Sequence, residues 1–369
     1  MKEAIVGKGP KVTIREVEIP KPGPDQVVIK VVVSGSNPKD WKGPMWSNTE
    51  INQGDDIAGY VFSVGENITE FRPGDRVGAF HEMRSPGGSY AEYAVAWGYT
   101  TFHIPKKTSF EEAATLPLAA MTSAVALYAR LGLPPPWQPA TRRIPLLIYS
   151  GASAVGAFAI KLARLSNVHP IITTAGRGIP YVESLLDPSQ GDAVVDYRSP
   201  TVAQDIHAAL EKAGSSPADL KLAFDGATLE SSHAHTTAAL APGHGHATFI
   251  LPYEQLGTAP EGVHRSLTTV GDVHKRAAPH EGPMEKMPDY RAAQPEEQGG
   301  PPCGGREFGF TYFRLMARGL QEGWFTPHPY EVVPGGLEGV ERGLTDLMDG
   351  KASAVKYVFR IADTPGVNA

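Results

Sequence analysis

The run SGASAVG at residues 150–156 is the first place where residue types and spacing could do chemistry. A pyrophosphate needs close approach to the backbone and the unpaired amides of a helix N-terminus. Small residues at Ser150, Gly151, Ala152, Ser153 and Gly156 permit both. Ala154 and Val155 depart from the strict glycine fingerprint, so the motif speaks through its context: the apolar run LLIY precedes it and a helical pattern follows. The next apolar segment ends in TTAGR and carries no acidic residue there. An aspartate or glutamate at that point would clasp the ribose hydroxyls of NAD, whereas Thr173, Thr174, Gly176 and Arg177 leave room and positive charge for a 2′-phosphate. NADPH is the expected cofactor. Tyr197 and Arg198, after a third apolar segment, could flank the adenosine phosphate, although an ordinary surface charge explains Arg198 equally well. A glycine turn without a ligand is the competing reading of the whole run.

Other chemistry finds less support. His233, His235, His244 and His246 form two pairs at spacing two, which would share a face only in extended chain, and the local pattern reads as helix and then turn, so no metal site is expected. Cys303 is the single cysteine, which excludes an internal disulfide and any multi-cysteine zinc module; a free surface thiol in a reducing compartment is its plain reading. With 34 basic against 40 acidic side chains and no basic run, nucleic acid is a poor partner. The opening MKEAIVGKGPKVTI has no signal-like stretch and the apolar runs are strand-length, so no membrane span is expected and the location is taken as cytoplasmic.

The elements that must position these residues fall into two styles, as 369 residues lead one to expect of two cooperating domains. Up to about residue 115, KVTIREVEIP, DQVVIKVVVSG, IAGYVFSVG and DRVGAF alternate between turns such as PGPD and FRPGD, which reads as a β-rich domain of strands and turns. Residues 110–131 shift to a helical period interrupted at Pro117, and a proline-rich connection follows at 134–139. From residue 146 strands and helices alternate, the grammar of a doubly wound parallel sheet with helices on both faces. The pattern weakens at 256–305, where a surface excursion or the border of a substrate cleft is expected. A helix at 307–319, a strand at 330–333, a helix at 337–348 and the strand VKYVFRI form a tail that could complete either domain.

Along nearly its whole length the sequence resembles the medium-chain dehydrogenase/reductase superfamily. The resemblance rests on PGPDQVVIKVVVSGSNPKDWKG, GDDIAGYVFSVGENITEFRPGDRV, GGSYAEY, EEAATLPLAAMTSAVAL and the SGASAVG turn, in that order. Within the superfamily the sequence is most similar to fungal trans-acting enoyl reductases of polyketide biosynthesis, and also to zinc-free quinone oxidoreductases. The resemblance implies an α/β protein: a GroES-like β-rich catalytic domain at 1–120, a Rossmann cofactor domain with a doubly wound parallel sheet at 121–310, and a C-terminal segment at 311–369 that completes the catalytic domain. It also implies no metal. Zinc-dependent relatives place a cysteine where Asn37 stands and a histidine where Asp55 stands.

The same resemblance assigns roles residue by residue. Lys42 matches a lysine that contacts the cofactor ribose or polarises the substrate carbonyl; a solvent lysine is the alternative. Thr122 resembles a threonine beside the nicotinamide, with helix back-bonding as its alternative. Asn37 is expected near the nicotinamide, Asp40 to orient its loop, and Asp55 and Asp56 to brace a turn. Phe249, Ile250 and Leu251 match a segment lining the nicotinamide pocket, and residues 270–274 a loop that follows it. The implied reaction is NADPH-dependent reduction of an α,β-unsaturated polyketide intermediate, with hydride to the β carbon. The implied substrate is a small molecule or a carrier-bound enoyl thioester, with a polyketide synthase as partner and the chain a monomer. Quinone or general enone reduction, and a non-catalytic NADPH-binding protein, are the alternatives.

Overall fold

The structure, a computed structural model, describes residues 1–253, 256–275 and 305–367. Cys303 and most of the 256–305 excursion lie outside those residues. The chain divides into two compact units, one of residues 1–121 and 309–369, the other of residues 122–308.

In the first unit the β-branched runs form strands. They are β1 (Lys2–Val6), β2 (Val12–Glu16), β3 (Gln26–Gly35), β4 (Asp56–Val64), β5 (Arg76–Phe80), β6 (Tyr93–Trp97) and β7 (Thr101–His103). The tail returns here with β14 (Tyr330–Val332), the helix α9 (Val340–Met348) and β15 (Lys356–Arg360). A seven-stranded sheet runs β14-β15-β3-β4-β5-β7, with β6 also paired to β3. The tail strands β14 and β15 join this sheet next to β3. The unit's core joins both ends of the chain, with Val6, Ile29, Ile57 and Tyr90 packed in one cluster with Leu337, Leu344 and Phe359. Burying each such apolar side chain contributes about 1.5–3 kcal/mol.

The expectation of strands and turns alone up to residue 115 needs one correction. Residues Pro38–Ser47 form a helix, α1, despite Gly43 and Pro44 within it. Its start is chemically specified: Pro38 supplies a preset φ at the first helical position, and the Asp40 carboxylate accepts the Asn37 amide at 2.7 Å. Two short helices follow, α2 (Phe110–Ala113) and α3 (Pro117–Ala124), and α3 runs into a wider helical turn at Val125–Arg130.

The second unit carries β8 (Leu146–Tyr149), α4 (Ala154–Leu165), β9 (Ile171–Ala175), α5 (Ile179–Glu183), β10 (Ala193–Asp196) and α6 (Val202–Lys212). After these come β11 (Leu222–Asp225), α7 (Glu230–Ala239), β12 (His246–Phe249) and β13 (His264–Leu267), and α8 (Gly305–Glu322) leads out of the unit. The six strands are parallel and ordered β10-β9-β8-β11-β12-β13. Chain order reverses direction between β8 and β11, and in such sheets the crevice beyond the strand ends at that point receives ligands.

Candidate active site

The glycine turn sits at the carboxyl end of β8, at the reversal point of the second unit's sheet. Ser150 adopts a left-handed backbone with φ of 75°, which a side chain tolerates only when its surroundings hold it. Its amide donates to Thr174 Oγ1 at 3.0 Å and its carbonyl accepts the Ser153 hydroxyl at 2.7 Å. Gly156 is required by contact, because a Cβ there would run into the Ser150 carbonyl oxygen. Ser153 caps α4 by accepting the Gly156 amide at 3.1 Å. The amides of Ala154 and Val155, first in the helix, are left without an intrahelical acceptor. Ser150, Ala152, Ser153, Ala154 and Val155 are all partly exposed, so the turn presents backbone donors and the positive end of a twelve-residue helix to the surface.

The neighbouring strand ends complete this half of the site. Thr173 and Thr174 are fully buried, and their hydroxyls serve the Ile148 carbonyl and the Ser150 amide, so both shape the turn. Past them Gly176 lies beneath the Tyr197 ring, where a Cβ would come within 2.8 Å of Cε1. Arg198 grips Asp196 through Nε at 2.8 Å and Nη2 at 2.6 Å. Hydrogen bonding from Arg198 holds the exposed Asp196 carboxyl down at about 2. Arg177 is exposed at the end of β9. Phe249 belongs to the core, its ring 5.1 Å from those of His233 and Tyr253, and its carbonyl accepts the Thr268 amide at 2.7 Å. Ile250 and Leu251 are partly exposed beyond it, and Val270–His274 forms a short 3-10 helix.

Of the four histidines, His233 accepts from Arg265, His235 pairs with the Tyr149 hydroxyl and His246 with the Ser266 hydroxyl, while His244 is exposed. They do not converge. Among the described residues no three histidine, cysteine, aspartate or glutamate side chains could hold a metal ion.

The first unit contributes a charged cluster at the start of α1. The Asn37 amide group donates to Asp56 Oδ2 at 2.7 Å and accepts the Lys356 ammonium at 3.0 Å; Lys356 in turn lies 2.5 Å from Asp56. Asp56 Oδ1 accepts the Leu118 amide at 2.6 Å, in the first turn of α3, the helix that carries the buried Thr122. Asp40 accepts the Tyr90 hydroxyl at 2.6 Å. Lys39 reaches the carboxylates of both Asp40 and Asp55 and donates to the Gln53 carbonyl. Burial pushes Asp55 up to about 6 against the pull of Lys39 and His81, and raises Asp40 too. Burial alone would lower Lys39, but the two carboxylates outweigh it and hold the ammonium above its ordinary range.

Lys42 follows one turn later on α1. It is half-buried, its ammonium 5.4 Å from the Trp41 ring centroid, and burial lowers its pKa. Among the described residues no carboxylate lies within ion-pair distance of it. Asn37, at the position of a cysteine ligand in zinc-dependent relatives, spends its side chain on Asp56 and Lys356, and Asp55 faces Lys39. This donor set does not fit zinc, which takes at least three thiolate, imidazole or carboxylate ligands. Sequence reasoning missed Lys356, 300 residues from Asp56, and Lys39 as the partner of Asp55; neither leaves a local signal.

A parallel sheet reversing at a phosphate-ready turn, in a chain that also folds a β-rich unit with a half-buried amine, defines the class as a nicotinamide-dependent oxidoreductase. Comparison with known proteins narrows it. The GroES-like domain of alcohol dehydrogenases matches residues 23–106. The chain is 43% identical over 345 residues to the trans-enoyl reductase fsr4 of Gibberella fujikuroi, covering 92% of each. It is 30% identical to the enoyl reductase component lovC of the lovastatin nonaketide synthase from Aspergillus terreus, covering 91% of this chain and 89% of that one. Among solved structures, the CurK enoyl reductase shares the fold with a TM-score of 0.68 at 18% identity, covering 97% of this chain and 98% of that one. The chain belongs to the trans-enoyl reductases of the medium-chain dehydrogenase/reductase superfamily, and it is an enoyl reductase.

Proposed function

We propose that this enoyl reductase uses NADPH, works without zinc, and saturates the carbon–carbon double bond of an α,β-unsaturated polyketide intermediate presented as a thioester by a synthase partner. The observation that carries the reading is the pairing of a donor set unsuited to zinc with the half-buried Lys42 on α1, which has no carboxylate partner among the described residues. Alcohol oxidation by this superfamily leans on a Lewis acid for the alkoxide, whereas an enoyl thioester asks only for orientation and a donor at its carbonyl oxygen. When bound, NADPH supplies the hydride for the β carbon.

The residues divide the remaining work. The amides of Ala154 and Val155, with Ser150, Gly151, Ala152, Ser153 and Gly156, receive the pyrophosphate. Gly176, Arg177, Tyr197 and Arg198 border the 2′-phosphate. Thr174 braces the turn. Lys42 donates to the substrate carbonyl or the cofactor ribose, Thr122 and Asn37 flank the nicotinamide, and Phe249, Ile250 and Leu251 line its pocket. Residues 1–120 with 311–369 act as the catalytic domain and 121–310 as the cofactor domain, in a monomer. The synthase partner comes from the relative whose name makes it a synthase component.

The test is anaerobic oxidation of NADPH and of NADH with a quinone, a free enone and an enoyl pantetheine thioester of the same chain, with products identified by mass. Saturation of the thioester with NADPH, and at least a tenfold loss of kcat in Lys42→Ala, is the expected result. Quinone turnover with an inert thioester would overturn it.

A further inference from the structure

The Lys39 ammonium occupies a seat with the make-up of a cation site. Oxygens from three residues converge on it: Asp40 Oδ1 at 2.8 Å, the Gln53 carbonyl at 2.6 Å and Asp55 Oδ2. The Asp40 and Asp55 side chains are 0% and 1% exposed. Among the described residues those two carboxylate oxygens have no hydrogen-bond partner apart from this ammonium. The other Asp40 oxygen is taken by Tyr90 and the Asn37 amide, and Lys356 is committed to Asp56 and Asn37. Among the described residues Lys39 is the one lysine or arginine that pairs with Asp40 and Asp55, and the His81 ring, which also acts on Asp55, is held by the Val95 and Ser85 carbonyls. Two buried carboxylates left without a counter-charge are strongly unfavourable, far more so than the same groups at a surface.

We infer that Lys39 is a resident cation. Its ammonium fills the seat where the oxygens of Asp40, Gln53 and Asp55 converge, Asp55 standing at the position of a zinc-ligand histidine in zinc-dependent relatives. It balances Asp40 and Asp55 and ties the first turn of α1 to the segment at 53–55. A covalently attached cation cannot be removed by chelation, and it denies the seat to a second cation through both space and charge. The inference concerns charge balance and not turnover, so it stands or falls apart from the choice of substrate and cofactor.

The experiment uses the full-length protein and the variants Lys39→Ala and Lys39→Ala/Asp55→Asn, each unfolded thermally alone, with EDTA, and with millimolar manganese chloride, a probe chosen because oxygen ligands suit it. Wild type should purify without stoichiometric zinc, and neither additive should shift its Tm. Lys39→Ala should lose roughly 10 °C. The double variant should regain a large part of that loss, because one of the two stranded carboxylates is gone. Manganese should raise the Tm of Lys39→Ala while leaving wild type unmoved, which a merely space-filling lysine would not produce.

Tight stoichiometric zinc in wild type, a fall in its Tm with EDTA, a wild-type Tm in Lys39→Ala, or no response of Lys39→Ala to manganese would each overturn the inference. Should Lys39→Ala not accumulate as folded protein, the double variant decides: a folded double variant supports the resident cation, and its failure to fold sinks it.

Discussion

The second unit presents backbone donors at its turn, whereas the first unit gathers charged side chains that it must first balance among themselves. At Ser150–Gly156 the donors are amides, fixed by a left-handed serine, a capping serine and a glycine that admits no Cβ. At the start of α1 the same task of fixing geometry falls to three buried aspartates and two lysines drawn from residues 39–56 and from Lys356. Backbone needs no counter-charge, so the turn tolerates partial exposure. The charged cluster stands only because every carboxylate in it has a cationic or hydrogen-bonding partner, and removing one partner leaves the others stranded.

The largest effect should therefore come from the charged side of the comparison. Lys356 and Asp56 are 3% and 0% exposed, and Lys356→Met leaves Asp56 with only the Leu118 amide and Asn37. We expect a loss of about 3–5 kcal/mol in urea unfolding, with Lys356→Met/Asp56→Asn clearly more stable than the single variant. Equal stabilities would mean that the cluster is not balanced pairwise, and the contrast with the turn would lose its basis.

The turn should respond differently. Gly156→Ala forces the Ser150 carbonyl to move, and with it the amides of Ala154 and Val155. Stability should fall by about 1–3 kcal/mol, and NADPH affinity by at least tenfold, because the displaced donors are those proposed to receive its pyrophosphate. A variant of the charged cluster with the same loss of stability should change NADPH affinity much less. Measuring both by calorimetric titration sharpens the comparison, and a shared affinity loss would break it.

This contrast also explains what could be seen in the sequence. The turn was legible because its parts lie within seven residues and because the strand before it and the helix after it announce themselves by periodicity. The parallel sheet followed from the same alternation, although its strand order did not. Helix α1 was hidden by Gly43 and Pro44, while its real signal, Pro38 at the first position and Asp40 two residues later, is short enough to pass for a turn. The pairs Lys39–Asp55 and Lys356–Asp56 were illegible, since a charge carries no mark of the partner that folding brings to it.

A smaller difference separates two arginines at the proposed phosphate end. Arg198 is already held by Asp196, whereas Arg177 stands exposed at the end of β9. Arg177→Ala should lower the preference for NADPH over NADH by about 10-fold, an amount in keeping with one charge-assisted hydrogen bond, and Arg198→Ala by less. The ratio of kcat/KM for the two cofactors reads this directly. A greater loss at Arg198 would mean that the phosphate displaces Asp196 from it.

The smallest effect distinguishes the two units by pH. In the second unit His246 bonds the Ser266 hydroxyl at 2.8 Å, and burial, with a minor push from His264, lowers its pKa to about 4. Its folded value lies below its unfolded one, so its contribution to stability is present above pH ~6.5 and is lost as pH falls toward 4. Asp55 in the first unit runs the other way. Its folded value of about 6 lies above that of a free carboxylate, so its contribution is full below the free value and is lost as pH rises through 6. Acidification from 6.5 to 5.5 should thus weaken the second unit by up to about 1 kcal/mol while favouring the first. Urea unfolding of wild type and His246→Gln across that interval, followed by hydrogen exchange resolved to each unit, checks the sign. The variant should reduce the acid loss of the second unit, leaving the part due to His233, whose pKa burial and Arg265 also lower, and should leave the first unit's response as it was; an unchanged acid slope in the second unit would show that His246 is not a source.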